Sequence, residues 1–444
     1  MKRSVLTTLL LLTALTGIAS AQSRGSYFFE NSLLRSKLNP AFAPKTDYSS
    51  FPVLGSFSFD MASNVGLQNF VFPQGEANYL FLNDNVPAET FLSQMPRRDP
   101  YVQQRLETDL FGAGMKIGRN GYATFSLSLV ENASTVLSSE LLRYAKTGNP
   151  GESQAIFNGG SVQLASYAAL SAGYSHDLSA LLEGLRAGVR VKLLVGLVAA
   201  NLDIDQIGLQ FSEDLVSANT HGSGAISGIG YSSADGFSFP GFGLKSLGAA
   251  VDLGVSYHLP LEGPVEGIDL SASVCDLGSL RYKNSITSLS LDRSASFSGI
   301  EDFSGDIRAE FEQLFSDFKA LARFDTSEGD SFKYTLSPSI HVGASASFLQ
   351  DKANAGLLYY HTVGHDNLMV SCGISPLEWL NFGVNWTFLG PASRFGFYGE
   401  FIPKKYVGLF FGMERASWRH NSSYVPIGNF TDSFAFGLNV LFGE

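Results

Sequence analysis

Charge is scarce in this chain, and long apolar runs are almost absent. Only 16% of its 444 residues are Asp, Glu, Lys or Arg, against roughly 25% in ordinary soluble domains. The formal net charge is -11, so the basic footprint that a nucleic-acid partner requires is missing and that class of function is excluded. After residue 21, no apolar run approaches the roughly 20 residues of a membrane-spanning helix.

Cysteine is equally scarce, with Cys275 and Cys372 as the two occurrences. Cys372 shares sequence parity with Val370, whereas Cys275 has the opposite parity to Val274. Because successive side chains of a strand point to opposite faces, the two thiols are expected on opposite sides of a sheet. The sequence therefore predicts no disulfide, and the spacing matches no metal-binding motif.

The histidines do not form a recognisable catalytic or metal-binding pattern. His361 and His365 flank Asp366, but their spacing of four suits a metal only on a helix, and this region has the pattern of strand, turn and strand. Ser339 and His341 share one predicted strand face, and no G-x-S-x-G elbow is present. We therefore expect no catalytic residues, no metal, no cofactor and no enzymatic activity.

The first residues have the pattern of an export signal. Lys2 and Arg3 precede a short apolar run, residues 5–15, and Ala19-Ser20-Ala21 is typical of a cleavage site. The sequence predicts a signal peptide over residues 1–21. An exported chain without apolar helices can cross a membrane only as a closed β-barrel, which places the expected location in a Gram-negative outer membrane.

The final segment, Thr431 to Glu444, alternates between a bulky apolar face and a small face. Phe434, Phe436 and their alternate neighbours share one parity, while Ala435 and Asn439 share the other. A soluble sandwich strand and a lipid-facing barrel strand both show this pattern, so recurrence along the chain decides between them.

The alternation recurs over most of the chain. One hairpin is marked by Arg119-Asn120-Gly121 between two alternating runs, and short joints alternate with longer loops towards the C-terminus. The sequence predicts an all-β protein, a transmembrane antiparallel barrel of 14–16 strands over residues 51–444. Further predicted strands cover residues 53–61, 111–117, 162–174, 187–197, 251–257, 268–274, 340–348, 353–360, 368–374, 380–388, 395–401 and 407–413.

Charges occupy the small face of two predicted strands. Arg190 and Lys192 alternate with Val189 and Val191, and Asp252 lies opposite its apolar neighbours in another strand. In a barrel, such charges belong to the lumen. Two interpretations stand: an internal network of ion pairs that braces the barrel, or the lining of a solute path.

Residues 22–50 are irregular yet rich in apolar side chains. Pro40 and Pro44 prevent regular structure, whereas Phe28, Phe29 and Phe42 carry more apolar surface than a disordered tail usually does. The sequence predicts a plug folded inside the barrel.

Helical patterns interrupt the strands at three places. Residues 87–95 and 138–146 predict short loop helices. Residues 306–323 predict an amphipathic helix, with three interpretations: a helix that packs on loops or wall, a gate over a pore, or a helix that binds a partner. Gly222 to Gly228 resembles a phosphate-binding loop only weakly, since the Lys-Ser/Thr ending is absent.

The Asn39-Pro40-Ala41 segment behind a signal peptide resembles the hatch of FadL-type channels for long-chain fatty acids and other hydrophobic solutes. The segments Ala187-Gly-Val-Arg-Val-Lys192 and Cys275-Asp-Leu-Gly278 are similar to a Bacteroidetes-type branch of outer-membrane barrels that includes gliding and type 9 secretion components. The FadL resemblance implies a hatch-plugged barrel, with Asn39, Pro40 and Ala41 as hatch residues, that releases solutes through its wall.

Two functions follow from these expectations. The first is passive transport of apolar or amphipathic small molecules through the plugged barrel into outer-membrane lipid. The second is a surface-assembly or secretion-accessory barrel that anchors or escorts exported surface proteins. A continuous apolar cavity with a wall opening would favour transport, and a lumen filled by charge pairs would favour the scaffold.

Overall fold

The computed structural model describes most of the chain after the predicted signal peptide. The signal peptide and the predicted helix 306–323 lie outside the described residues. The described residues are 24–29, 32–74, 77–212, 216–228, 230–232, 236–238, 243–297, 324–362, 365–377, 379–390, 392–403, 406–415 and 428–442.

Within the described ranges, three short α-helices accompany the strands: α1 (Arg35–Leu38), α2 (Ala88–Gln94) and α3 (Ser139–Thr147). Helix α3 begins where the sequence predicts, because the Ser138 side chain accepts a hydrogen bond of 3.2 Å from the backbone N–H of Leu141. The predictions of helices over 87–95 and 138–146 are confirmed.

The strands are numbered β1–β24 in chain order. Their bounds are Asp47–Ser50, Phe57–Ser63, Val71–Gln74, Ala77–Leu80, Tyr101–Ile117, Gly121–Leu137, Gln154–Phe157, Gly160–Asp177, Leu185–Phe211, Val216–Ser227, Gly230–Ser232, Gly236–Ser238, Leu247–Pro260, Gly267–Tyr282, Thr287–Phe297, Asp325–Glu328, Phe332–Thr335, Ser339–Phe348, Ala353–Thr362, His365–Leu377, Leu380–Leu389, Arg394–Phe401, Val407–Arg415 and Phe430–Phe442.

Twenty of these strands form a closed antiparallel barrel with 14 wall positions, which confirms the predicted fold class. The pairs β3–β4 and β11–β12 are separate two-stranded sheets. Five wall positions contain more than one strand: β1 with β2, β7 with β8, β10 with β13, β14 with β15, and β16 to β18. The last strand closes the ring by pairing with the first, with Asp47 opposite Phe442. A closed ring leaves no unpaired wall edge, as a membrane requires.

Side chains alternate between lumen and exterior along the wall as predicted. Ala435 and Asn439 are buried in the lumen at 0% and 2% exposure, whereas Val191 points outward at 56% exposure. The exterior therefore carries a broad apolar belt, as expected of a lipid-facing surface. Among the described residues, no helix has the length and apolarity to cross a membrane.

Cys275 is buried and Cys372 is exposed, and neither forms a disulfide. The two thiols thus lie on opposite faces of the wall, as the parity argument predicts. The Gly222 to Gly228 segment is mostly strand β10, so the weak resemblance to a phosphate loop is wrong.

Both described ends of the wall lie at one rim. Asp47 and Phe442 lie there together with short connections such as 118–120 and 349–352, and we name it the turn rim. The opposite end, with the longer connections and helices α2 and α3, is the loop rim. The barrel is taller on one side, because β9 alone runs from Leu185 to Phe211.

The first wall strand departs from the sequence-based expectation. Alternation over Val53 to Met61 predicts one strand, but residues 51–56 leave the sheet and β2 begins only at Phe57. Pro52 cannot donate to a ladder, and Val53 has a φ of +66°, so pairing stops there. The wall itself begins at Asp47 rather than residue 51, so the predicted end of the plug is too late.

Candidate functional site in the plugged lumen

The leader folds inside the barrel as a plug, which we define as residues 24–29 and 32–44. Its rings are almost fully buried: Tyr27 is 1% exposed, Phe28 8% and Phe29 2%. Tyr27 also packs edge-to-face against Phe42 at a centroid distance of 5.1 Å. An aromatic side chain contributes a large buried apolar area, so the rings tie the plug to the wall.

Glycines in the wall make room for these rings. A Cβ on Gly343 would lie 2.7 Å from the Tyr27 ring, and one on Gly356 would lie 2.6 Å from the ring of Phe28. Gly373 would bring a Cβ to 2.6 Å from the Phe29 ring. A Cβ atom at any of these positions would be too close to the ring. The glycines of the consecutive strands β18, β19 and β20 therefore leave the space that each ring occupies, and we name these spaces the seats of the plug.

The predicted hatch residues Asn39, Pro40 and Ala41 lie against the neighbouring part of the wall, where β14 pairs with β18. The Asn39 Nδ2 donates to the carbonyl oxygens of Val255 and Ala272 at 3.1 and 3.3 Å. Its Oδ1 accepts from the N–H of Ala41 at 2.9 Å.

The Pro40 carbonyl rests against Gly188, where a Cβ would overlap it. The Ala41 carbonyl accepts from the Ser175 hydroxyl at 2.8 Å. The three hatch residues therefore bind the backbone of the plug to β8, β9, β13 and β14.

Lys37 makes charged contacts between plug and wall. Its Nζ lies 2.7 Å from Asp109 Oδ1 and 3.0 Å from Glu107 Oε1. Burial alone would lower the pKa of the Lys37 ammonium, but the two carboxylates outweigh this effect and raise that pKa above its ordinary value. Lys37 therefore stays charged in the lumen.

Arg190, Lys192 and Asp252 meet in the lumen. Asp252 Oδ2 lies 2.8 Å from Lys192 Nζ and 3.5 Å from Arg190 Nη1. Arg190 also donates through Nη2 to the Ser36 carbonyl of the plug at 2.6 Å, and Lys192 reaches Asp276 at 2.7 Å. The network thus holds wall and plug together.

These residues belong to one lumen charge cluster of four cations and four anions. Four members of the cluster were not predicted from the sequence: Arg105, Glu107, Asp109 and Asp276. Three of them, Arg105, Glu107 and Asp109, alternate in β5 just as Arg190 and Lys192 do in β9. Asp276 lies in a bulge of β14, where the register with β13 shifts between Val251 and Leu253, and no period-two pattern shows this shift. The cluster consists of Lys37, Arg105, Arg190, Lys192, Glu107, Asp109, Asp252 and Asp276.

A cavity of about 180 Å³ lies between the charge cluster and the loop rim. We name it the mouth cavity. Arg24 of the plug and Arg105 of the cluster lie at its floor, whereas Tyr167, Tyr334 and Leu336 form one side. Both polar and apolar groups line the mouth cavity. The lumen therefore does not contain the continuous apolar cavity that was expected for a transporter.

Two smaller spaces continue from the mouth cavity past the plug. The middle cavity, about 40 Å³, shares Arg105 and Asp276 with the mouth cavity. The bulge cavity, about 30 Å³, shares Lys37 and Arg190 with the middle cavity and reaches Gly55. The three spaces therefore lie in series, separated by side chains of the charge cluster.

The series ends at the irregular part of the first wall strand. Residues 51–56, which we name the wall bulge, lie opposite residues 437–438 of β24. The bulge is held there by two backbone hydrogen bonds, from Phe51 N–H to the Leu438 carbonyl at 3.1 Å and from Leu438 N–H to the Leu54 carbonyl at 2.8 Å. Val53 and Leu54 of the bulge are 53% and 45% exposed on the exterior. Next to them lies an apolar outer groove of about 550 Å³, lined by Leu54, Phe401, Leu409, Phe411, Phe436 and Leu438 among others.

The histidines fall in different places. His361 and Asp366 form an exposed pair at 2.9 Å between Nδ1 and Oδ1, and no cluster of metal-ligating side chains occurs within the described ranges. His341 is buried in the lumen at 1% exposure and stacks on Tyr27 of the plug. His341 therefore packs the plug against the wall beside the charge cluster.

A family model described as a family of unknown function (DUF5723) matches residues 40–413. No curated protein sequence matches the chain. Among solved structures, a TodX monoaromatic hydrocarbon channel ΔS2 mutant is 11% identical with a TM-score of 0.44, over 91% of this chain and 93% of that one.

A Pseudomonas aeruginosa FadL homologue is 10% identical with a TM-score of 0.40, over 96% and 98% of the two chains. The translocator domain of the autotransporter NalP from Neisseria meningitidis is 9% identical with a TM-score of 0.33, over 92% and 93%. At these TM-scores the similarities assign no function.

Proposed function

The chain belongs to the DUF5723 family, and we propose that it is an outer-membrane barrel that passes amphipathic small molecules from its mouth to the membrane. The turn rim would face the periplasm and the loop rim the exterior, since such barrels have short turns on the periplasmic side and longer loops outside. The apolar belt would contact lipid.

One observation carries the proposal: the mouth cavity, the middle cavity and the bulge cavity lie in series and lead to the outer groove. Each neighbouring pair shares lining residues, and Phe410 lines both the bulge cavity and the outer groove. A barrel that only anchors partners has no need for a chain of spaces from its mouth to its lipid-facing surface.

Passage would proceed in three steps. A solute first binds in the mouth cavity, above Arg24 and Arg105. The plug then shifts around Lys37, which separates the middle cavity from the bulge cavity. The solute finally leaves beside Gly55 and Leu54 into the outer groove, where its apolar part meets lipid.

The described conformation is the closed one, because the charge cluster fills the lumen between the cavities. Complete removal of the plug would expose the seated rings, each worth about 3–5 kcal/mol on truncation. A local shift near Lys37 exchanges ion pairs among the neighbouring charges and leaves Tyr27, Phe28 and Phe29 in place. The aromatic half of the plug would therefore act as a fixed anchor, and residues 35–44 as the moving part.

The same plug supports a second candidate function. A lumen filled by paired charges, with rings fixed in glycine seats, also suits a permanently closed barrel that anchors or escorts exported proteins. The apolar outer groove beside Leu54 would then receive a partner in the membrane. The two functions differ in one measurable property, because only the first requires solute flux.

The test is uptake of radiolabelled octanoate and octyl glucoside into proteoliposomes, compared with protein-free liposomes. A variant lacking residues 22–44 retains the wall, which begins at Asp47. We expect uptake by the intact chain above the protein-free rate, and faster, less selective uptake by the deletion variant. A correctly folded barrel without flux in the intact form would reject transport and favour the scaffold.

A further inference from the structure

The mouth cavity has a lining that differs from that of an apolar binding site. Four carboxamide side chains and five hydroxyl side chains surround it, and all of them except Ser337 occupy lumen-facing strand positions. Carboxamides offer both a donor and an acceptor, and hydroxyls do the same. The side chains are those of Gln103, Asn132, Gln163, Asn367, Ser134, Ser337, Ser339, Thr362 and Thr431.

The formal charges of this cavity are already neutralised within the protein. Arg24 lies 3.5 Å from Asp60, and Arg105 lies 3.3 Å from Asp276. Arg394 Nε lies 2.9 Å from a carboxylate oxygen of Glu414. An anionic ligand would have to displace these carboxylates, so the cavity favours an uncharged occupant.

Several buried polar atoms at the cavity have no hydrogen-bond partner among the described residues. They include the Thr431 hydroxyl oxygen and the Nε atoms of Arg24 and Arg105. Thr431 and Arg24 are each only 6% exposed. Buried polar atoms without partners are costly. These atoms are closed off from the cavity in the described conformation, so small side-chain shifts would have to turn them towards a hydroxyl-rich ligand before it could satisfy them.

One side of the cavity is apolar and aromatic. Tyr167 and Tyr334 line it together with Leu336, which is 3% exposed. Tyr167 is fixed by a 3.5 Å hydrogen bond from Asn132 Nδ2 to its hydroxyl. A small saturated ring with polar edges and an apolar face matches a cavity that has amides on some sides and aromatic rings on another.

We infer that the mouth cavity binds an uncharged polyhydroxylated ring, such as the sugar head group of a small glycoside. The inference rests on the proposed function and names the solute class for it. The volume of about 180 Å³ is below the roughly 300–1,000 Å³ of drug-sized sites, so one ring fits and a second sugar or a folded alkyl chain does not. A hydrocarbon without polar groups would leave the amides unpaired.

The test uses the full chain in lipid nanodiscs and isothermal titration calorimetry, with empty nanodiscs as the baseline. The probes are the methyl glycosides of glucose, galactose and mannose, cyclohexylmethanol as an apolar ring of similar size, and butyrate as a small anion. We expect saturable binding of at least one methyl glycoside and none of cyclohexylmethanol or butyrate.

Two variants locate the binding. Gln103→Ala and Gln163→Ala each remove a carboxamide from the cavity, and each should weaken glycoside binding about tenfold. Gln154→Ala is the matched control, because Gln154 is exposed in strand β7 and does not line the cavity. That variant should bind as the unmodified chain does.

The outcomes separate this inference from the proposed function. Binding of cyclohexylmethanol or butyrate without any glycoside would overturn the sugar assignment and leave small-molecule uptake standing. If both alanine variants at Gln103 and Gln163 bind the glycoside as tightly as the unmodified chain, the ligand binds elsewhere and the assignment is overturned. Absence of binding by every probe, together with absence of flux, would reject both.

Discussion

Gly254 of the wall leaves room for Asn39 of the plug: a Cβ on Gly254 would overlap the Oδ1 of Asn39 and lie 2.9 Å from its Cγ. The same amide bonds to the Val255 carbonyl at 3.1 Å. The identity of one wall residue is thus set by the plug that it faces, so plug and barrel form one fitted unit.

Gly254→Ala should loosen the plug without disturbing the wall. The added methyl group displaces the Asn39 amide, so we expect greater ion conductance in planar bilayers and faster protease cleavage within residues 24–44. Gly399→Ala is the control, since a Cβ on Gly399 would have nothing within 4 Å. Equal conductance of the two variants would contradict the fitted-plug account.

Lys37→Met should destabilise the folded barrel by about 3–5 kcal/mol, because it leaves Asp109 buried without its cation and Glu107 with Arg105 alone. Urea titration in detergent, followed by tryptophan fluorescence, measures the change. Lys37→Arg keeps the charge and should recover most of the loss. A Lys37→Met variant as stable as the parent chain would show that the charge cluster does not hold the plug.

Phe29→Ala should cost about 3–5 kcal/mol as well, since it empties the seat between Gly373 and Tyr398. The comparison is Phe51→Ala in the wall bulge, where the ring is 47% exposed and its loss should change stability by less than about 0.5 kcal/mol. Similar unfolding midpoints for the two variants would mean that the plug rings are not anchored as described.

Val191→Arg tests whether the apolar belt faces lipid. An arginine on the lipid side of a barrel costs about 2–4 kcal/mol near the bilayer midplane, so folding into lipid vesicles should be less favourable by that amount. Leu181→Arg, in the connection at the turn rim where the side chain is 80% exposed, should have no comparable effect. If both changes are neutral, the belt is not in the membrane.

The barrel could be predicted because apolar side chains alternate with small or polar ones, with a period of two, along the wall strands. Val189 and Val191 against Arg190 and Lys192 already separate exterior from lumen, and the closing strand does the same. The wall bulge could not be predicted from Val53 and Phe57, since their parity continues through a segment that leaves the sheet.

The site could be predicted only in part. The resemblance to a FadL-type hatch singles out Asn39, Pro40 and Ala41. Their contacts with Gly188 and Gly254 join distant parts of the chain, so no local sequence pattern predicts them. The alternation of Arg105, Glu107 and Asp109 carries the same signal as Arg190 and Lys192 and was available in the sequence. The mouth cavity depends on side chains from many strands, and no local pattern brings Gln103 and Thr431 together.

The most direct measurement is flux through a barrel whose plug is locked to its wall. Asn39→Cys with Gly254→Cys places the two Cβ atoms within reach of the about 3.5–4.5 Å that a disulfide spans, and Cys275→Ser with Cys372→Ser removes the native thiols. The account predicts that oxidised proteoliposomes show no octyl glucoside uptake above the protein-free rate, and that reduction restores uptake. Equal uptake before and after reduction would contradict passage through a moving plug.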